Sequence, residues 1–163
     1  MVSNWFDDLL SIINKKGWYR GVQVFDKDTP KRCEADFPFL SISRINEKSS
    51  ETSGRLKRMI RFLKNVKCQS PVDINLSSFD INAICYDVNI AEYHDCEYQH
   101  LVFVLYLQLH KISEDEEYAN ELKSVDGREF IFRYKPEKIE ELKRLLSEVS
   151  IIAVDLKEAL QPV

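Results

Sequence analysis

Apolar residues recur along most of this chain at three- and four-residue intervals, the period that lines one face of an α-helix. From Leu56 to Lys67, the residues Leu56, Met59, Ile60, Leu63 and Val66 gather on one side, which predicts a helix with a core-facing stripe. From Pro136, well placed in a first helical turn, Ile139, Leu142, Leu145, Leu146, Val149, Ile152, Leu156 and Leu160 repeat in the same way and predict the longest helix. Glu97 to Ile112 is apolar nearly all round and reads as a central core helix. Asn4 to Lys16 places Trp5, Leu9, Ile12 and Ile13 at helical spacing, with Ser3 or Asn4 as N-cap and Gly17 as the stop.

Ser77-Ser78-Phe79-Asp80 has the form of a capping box, in which a serine oxygen takes a free N–H and an acid follows three residues on. It opens a helix to about Ile90 with Phe79, Ala83, Ile84 and Val88 inward. Ser113 to Ser124 is acidic and reads as a further exposed helix. Two-residue alternation is rarer. Tyr19 to Phe25 alternates, with Val22 and Val24 on one side, before the turn-rich Asp26-Lys27-Asp28-Thr29-Pro30, and reads as a strand. Phe37 to Ser43 is expected to be extended, because a residue before proline avoids the helical region. Glu47 to Gly54 is polar and reads as a loop, and Val125 to Arg128 as a turn before a short extended segment from Glu129 to Tyr134. The expected fold is α+β, mainly α: a helical bundle with two or three short strands or extended segments. It forms a single domain over residues 1–163, with a helix-and-strand annex over 1–50 and a helical core over 51–163.

The 163 residues and 19.2 kDa suit one domain, which buries roughly two thirds of its unfolded surface. A 44% hydrophobic, 31% charged composition sets aside disordered and low-complexity classes. No apolar run reaches the roughly 18 to 20 residues a bilayer needs, and acidic Asp7 and Asp8 sit where a signal peptide would carry a basic start. A cytoplasmic location and no membrane partner are expected. The four cysteines, Cys33, Cys68, Cys85 and Cys96, form no CxxC pair, so reduced thiols are expected rather than zinc. None of the four glycines belongs to a GxGxxG or P-loop pattern, which sets aside those two nucleotide-binding classes.

Charge changes the picture more. Residues 1–67 carry 14 Lys and Arg against 8 Asp and Glu, and residues 68–163 carry 9 against 19, so a net +6 precedes a net −10. Between Thr52 and Lys67 there are six basic residues and no acidic one, where an ordinary surface helix intersperses glutamates. Lys57, Arg61 and Lys64 lie within about 60° on the face opposite the apolar stripe, flanked by Arg58 and Lys67. Cations one turn apart can hold successive phosphates of a nucleotide or a nucleic-acid backbone; the alternative is a solvated face balanced by the acidic half. Ser77 and Ser78, at a helix start, are a second anion-binding candidate. Asp26 and Asp28 are read as turn residues rather than metal ligands. His94, His100 and His110 are read as structural or exposed.

The segments Asp36-Phe37-Pro38-Phe39-Leu40, Arg44-Ile45-Asn46, Gly54 to Lys67 and Ile74 to Ile81 resemble the C-terminal helical region of nucleotidyltransferases of the DNA polymerase beta superfamily. The likeness is to bacterial members related to oligoadenylate synthases, CD-NTases and CCA-adding enzymes, and it covers about Gly17 to Val88. There a basic helix of the form R-x-x-x-x-L-K precedes a serine turn, and the two cradle the triphosphate of an incoming nucleotide. The resemblance implies that Lys64 is the phosphate-contacting lysine, Ser77 or Ser78 the serine, and Arg61 and Lys57 supporting contacts.

The catalytic half of such enzymes carries a Gly-Ser turn, a D-x-D and a third carboxylate that bind two magnesium ions. This sequence has no Gly-Ser dipeptide, and its one D-x-D, Asp26 and Asp28, precedes the Phe37-Pro38-Phe39 segment. The resemblance therefore implies a nucleotide-binding domain without catalytic residues or a cofactor of its own, with Mg²⁺ joining the nucleotide only where a catalytic half is supplied. The expected partners are a nucleoside triphosphate, and a separate catalytic half or a second copy of the chain. The alternative is a non-catalytic interaction or nucleic-acid-binding module that uses the basic helix 55–67. A further expectation is dimerisation through an exposed sheet edge around Tyr19 to Phe25.

Overall fold

The computed structural model describes residues 25–26, 31–32, 37–94 and 97–160. The chain divides into two compact units, Met1–Asn46 and Glu47–Val163. In the first, β1 (Phe25–Asp26) and β2 (Lys31–Arg32) pair antiparallel, Phe25 opposite Arg32 and Asp26 opposite Lys31. The helix expected over Asn4 to Lys16, and the strand expected from Tyr19 except its last residue, lie outside the described residues.

The segment expected to be extended at Phe37 to Ser43, and the loop expected at Glu47 to Gly54, are instead one helix, α1 (Pro38–Glu51), and a turn. The conformational restriction falls on Phe37, whereas Pro38 takes a first helical position, where its missing N–H costs nothing. Hydropathy hides this helix because its buried positions are Leu40, Ser43 and Ser49, with Thr52 just beyond. Thr52 folds its hydroxyl back onto the carbonyl of Lys48 at 2.9 Å and accepts from the N–H of Leu56 at 3.3 Å. Gly54 completes the turn at φ 81°, a left-handed angle at which a side chain would be strained although the space around it is open.

The helices of the second unit follow the apolar periodicity. They are α2 (Arg55–Gln69), α3 (Ser78–Asp87), a 3-10 turn (Ile90–Tyr93), α4 (Tyr98–Glu114), α5 (Glu116–Glu121) and α6 (Pro136–Ala159). α2 packs along α3, and α4 along α6. Leu56, Met59, Leu63, Ile84, Leu105, Leu109, Leu142 and Leu145 are all fully buried, and removing each such side chain from water contributes about 1.5–3 kcal/mol. α4 is less uniformly buried than its composition implies: Tyr98 and Leu107 are exposed, while Gln108 is buried and bonded to Asp87 at 2.9 Å.

The extended segment expected from Glu129 to Tyr134 reduces to one antiparallel bridge between Lys123 and Phe130. Ser124 diverts the backbone there, its Oγ accepting from the N–H groups of Arg128 at 3.2 Å and Glu129 at 3.0 Å, while Ile131 and Phe132 turn inward. The architecture is thus mainly helical, with no strand longer than two residues among those described. No helix among them is long and apolar enough to cross a membrane.

Candidate functional site

α2 presents its apolar stripe to the core and its cations outward. Lys57, Arg58 and Arg61 are exposed and Lys64 is half-buried. From Lys57 to Arg61 is one turn, and from Arg61 to Lys64 slightly less, so the three Cα atoms step about 6 and about 4.5 Å along the axis. Ion pairs of the second unit include those of Arg133, Lys138, Lys143 and Arg144. Among the described residues Lys57, Arg58, Arg61 and Lys64 pair with no carboxylate.

Burial pushes the Cys85 thiol up, far above its ordinary range, and the positive charges of Lys64 and Lys48 oppose that shift. One turn further along α2, Lys67 donates from Nζ to the carbonyl of Leu76 at 2.7 Å. The next residue is Ser77, so the serine turn lies at the C-terminal end of the basic helix.

The two serines differ. Ser77 is the N-cap of α3: its Oγ accepts from the N–H of Asp80 at 3.1 Å and donates to Asp80 Oδ2 at 2.8 Å, and Oδ2 also accepts from the Ser77 N–H at 2.8 Å. Its one hydroxyl proton is therefore spent on Asp80. Ser78, the first residue of the helix, is exposed, and its hydroxyl has no partner among the described residues. With the first-turn N–H groups of Ser78 and Phe79, which lack an intrahelical acceptor, it offers donors at the positive end of the helix dipole. Asp80 itself is 1% exposed and is joined by Lys138 Nζ at 2.6 Å.

Sequence reasoning missed Lys48. On the last full turn of α1, its Nζ donates to the carbonyls of Tyr86 and of Val88, the latter at 2.6 Å, and lies 4.8 Å from the centre of the Tyr86 ring. Burial lowers the Lys48 pKa, opposed by Asp87 and Glu51. It caps the C-terminal end of α3, where cations are favoured. Its partners are carbonyls 38 and 40 residues away, and no local pattern marks them.

Of the other candidates, His94, His100 and His110 are exposed, and His100 and His110 sit about 15 Å apart along α4. Asp28 lies outside the described residues. No three His, Cys, Asp or Glu side chains converge among the described residues. Cys68 is exposed and Cys85 buried, both free thiols, while Cys33 and Cys96 lie outside the described residues.

A family model described as the cGAS/DncV-like nucleotidyltransferase C-terminal helical domain matches residues 43–152. A c-di-GMP synthase of Capnocytophaga granulosa is 52% identical over 163 residues, which cover 98% of this chain and 46% of that protein. A c-di-GMP synthase of a Lachnospiraceae bacterium is 46% identical over 157 residues, 96% of this chain and 45% of that protein. Among solved structures, a STING-associated CdnE c-di-GMP synthase from Capnocytophaga granulosa superimposes with a TM-score of 0.82 at 51% identity, over 87% of this chain and 47% of that one. The chain spans about half the length of the curated relatives it matches. It belongs to the family of cGAS/DncV-like nucleotidyltransferase C-terminal helical domains.

Proposed function

We propose that this chain is the triphosphate-binding half of a nucleotidyltransferase that makes a cyclic dinucleotide, with a purine nucleoside triphosphate as its ligand. Lys57, Arg61 and Lys64 hold the phosphates from α2, and Ser78 with the first-turn N–H groups of α3 holds them from the turn. Ser77 shapes that turn rather than touching the ligand. The observation that carries this reading is the run of four cations on α2 that, among the described residues, have no carboxylate partner, beside a serine turn whose outward hydroxyl has no partner among those residues either. The relatives are c-di-GMP synthases, which points to GTP as the first nucleotide to test. The carboxylates and magnesium that activate the attacking hydroxyl belong to the catalytic half.

Titration of the chain with GTP and magnesium, followed by amide NMR, tests the proposal. Shifts concentrated at Lys64, Ser78 and Phe79, lost in Lys64→Ala and Ser78→Ala, are the expected result. Saturation without any shift in these amides overturns it. Nucleic-acid binding is the rival for the same basic face, and it would depend on Arg58 as strongly as on Lys64, because backbone binding counts charges.

A further inference from the structure

Four polar side chains along α6 reach back to the connection that carries the serine turn. Lys138 Nζ meets Asp80 Oδ1 at 2.6 Å, and Glu141 Oε2 accepts from the N–H of Asn75 at 2.7 Å. Arg144 Nη1 donates to the carbonyl of Asp73 at 3.3 Å, and Glu148 Oε1 accepts from Ser70 Oγ at 3.2 Å. Positions three and four apart share a side of a helix, so these residues form one polar stripe, and as α6 runs forward their partners run backward from 80 to 70.

The stripe ends on the capping box. Asp80 divides its two oxygens: Oδ2 holds the N–H and hydroxyl of Ser77, and Oδ1 holds Lys138. Without Lys138, a buried carboxylate would stand uncompensated within one helical turn of Ser78, where it would repel a phosphate and lose the partner that fixes its orientation. We propose that Lys138 is a positioning residue for the anion-binding turn: acting through Asp80, it sets the angle of the first turn of α3 and cancels the charge behind it. This rests on the triphosphate reading above.

The test compares the chain with Lys138→Met, Lys138→Arg and, as control, Lys143→Met. Lys143 is an exposed cation of the same helix whose partner is Glu140, three residues away. Two quantities are read: GTP affinity in the presence of magnesium, and amide hydrogen exchange at Ser78, Phe79 and Asp80. In Lys138→Met, affinity falls by about fivefold or more and the Asp80 amide exchanges faster. Lys138→Arg restores both, and Lys143→Met changes neither. Should Lys138→Met fail to fold, Lys138→Gln removes the charge while keeping a donor. Affinity and exchange that match the wild type, or that shift equally in the control, overturn the proposal. If the unsubstituted chain binds no GTP, the triphosphate reading fails separately, and exchange alone then decides whether Lys138 pins the turn.

Discussion

Lys67, on the last turn of the basic helix, gives its Nζ to the carbonyl oxygen of Leu76 at 2.7 Å. The bond separates Lys67 from four other cations of α2: its charge is committed to holding the connection, while Lys57, Arg58, Arg61 and Lys64 carry theirs without a carboxylate partner among the described residues. Lys67→Met is accordingly expected to destabilise the fold by about 1–2 kcal/mol, the scale of one hydrogen bond from a charged group at a half-buried site. A lower urea midpoint with an unchanged slope would show it, and a midpoint equal to the wild type would refute it. Its effect on GTP affinity should be smaller than that of Lys64→Met.

The two adjacent serines should separate in a stability measurement. Ser77→Ala removes the hydroxyl that accepts from the Asp80 N–H and donates to its carboxylate, and is expected to cost about 1 kcal/mol, as for other N-caps. Ser78→Ala removes an exposed hydroxyl without a partner among the described residues and leaves the thermal midpoint nearly unchanged, while lowering GTP affinity. Equal loss of stability in both variants would contradict the division of roles.

Salt dependence separates a nucleotide pocket from a nucleic-acid surface. For a nucleic-acid backbone, each cation removed from α2 should weaken binding similarly and reduce the slope of affinity against salt by about one. For a triphosphate held at the turn, Lys64→Ala should cost far more than Arg58→Ala. Fluorescence titration of both variants with GTP and with a short single-stranded oligonucleotide, at two salt concentrations, gives the comparison.

Where the sequence was legible, the signal was apolar periodicity. α2, α4 and α6 each bury residues at three- and four-residue spacing, and the capping box at Ser77 has local chemistry that reads directly. α1 was illegible because serines fill two of its three buried positions, and an X-Pro step reads as extended although Pro38 opens a helix. The extended segment expected at Glu129 failed for a related reason: Ser124 competes for the N–H groups that a strand partner would have taken. Of the site, the cations and the serines were visible as residues. What positions them was not, since Lys48 and Lys67 bond to distant carbonyls, and the α6 stripe meets its partners 58 to 78 residues away.

The two described cysteines should differ in reactivity. Cys85 is fully buried on α3, where burial pushes its thiol far above the ordinary range, so little of the reactive thiolate exists near neutral pH. Cys68 is exposed on the last turn of α2. Iodoacetamide at about pH 8 should label Cys68 within minutes and Cys85 only after denaturation. Mass spectrometry of the digested protein reports both sites, and labelling of native Cys85 at the rate of Cys68 would contradict its burial.

Tyr118 sets an expected response to alkaline pH. Burial, and then the hydrogen bond it donates to Asp87, raise its phenol from 10.0 to about 12, against a smaller opposing effect of the bond received from Gln108. Because the folded value lies above the unfolded one, the stability linked to this proton is fully present below pH 10 and is lost as pH rises toward about 12. Phenylalanine has no such proton. Tyr118→Phe should therefore be less stable than the wild type near neutral pH, having lost the Asp87 bond, and the difference should shrink across that window. Urea midpoints of both proteins from about pH 8 to about pH 12 test this. A difference that stays constant would mean that Tyr118 titrates alike in the folded and unfolded chains, and that its bond to Asp87 does not hold the proton.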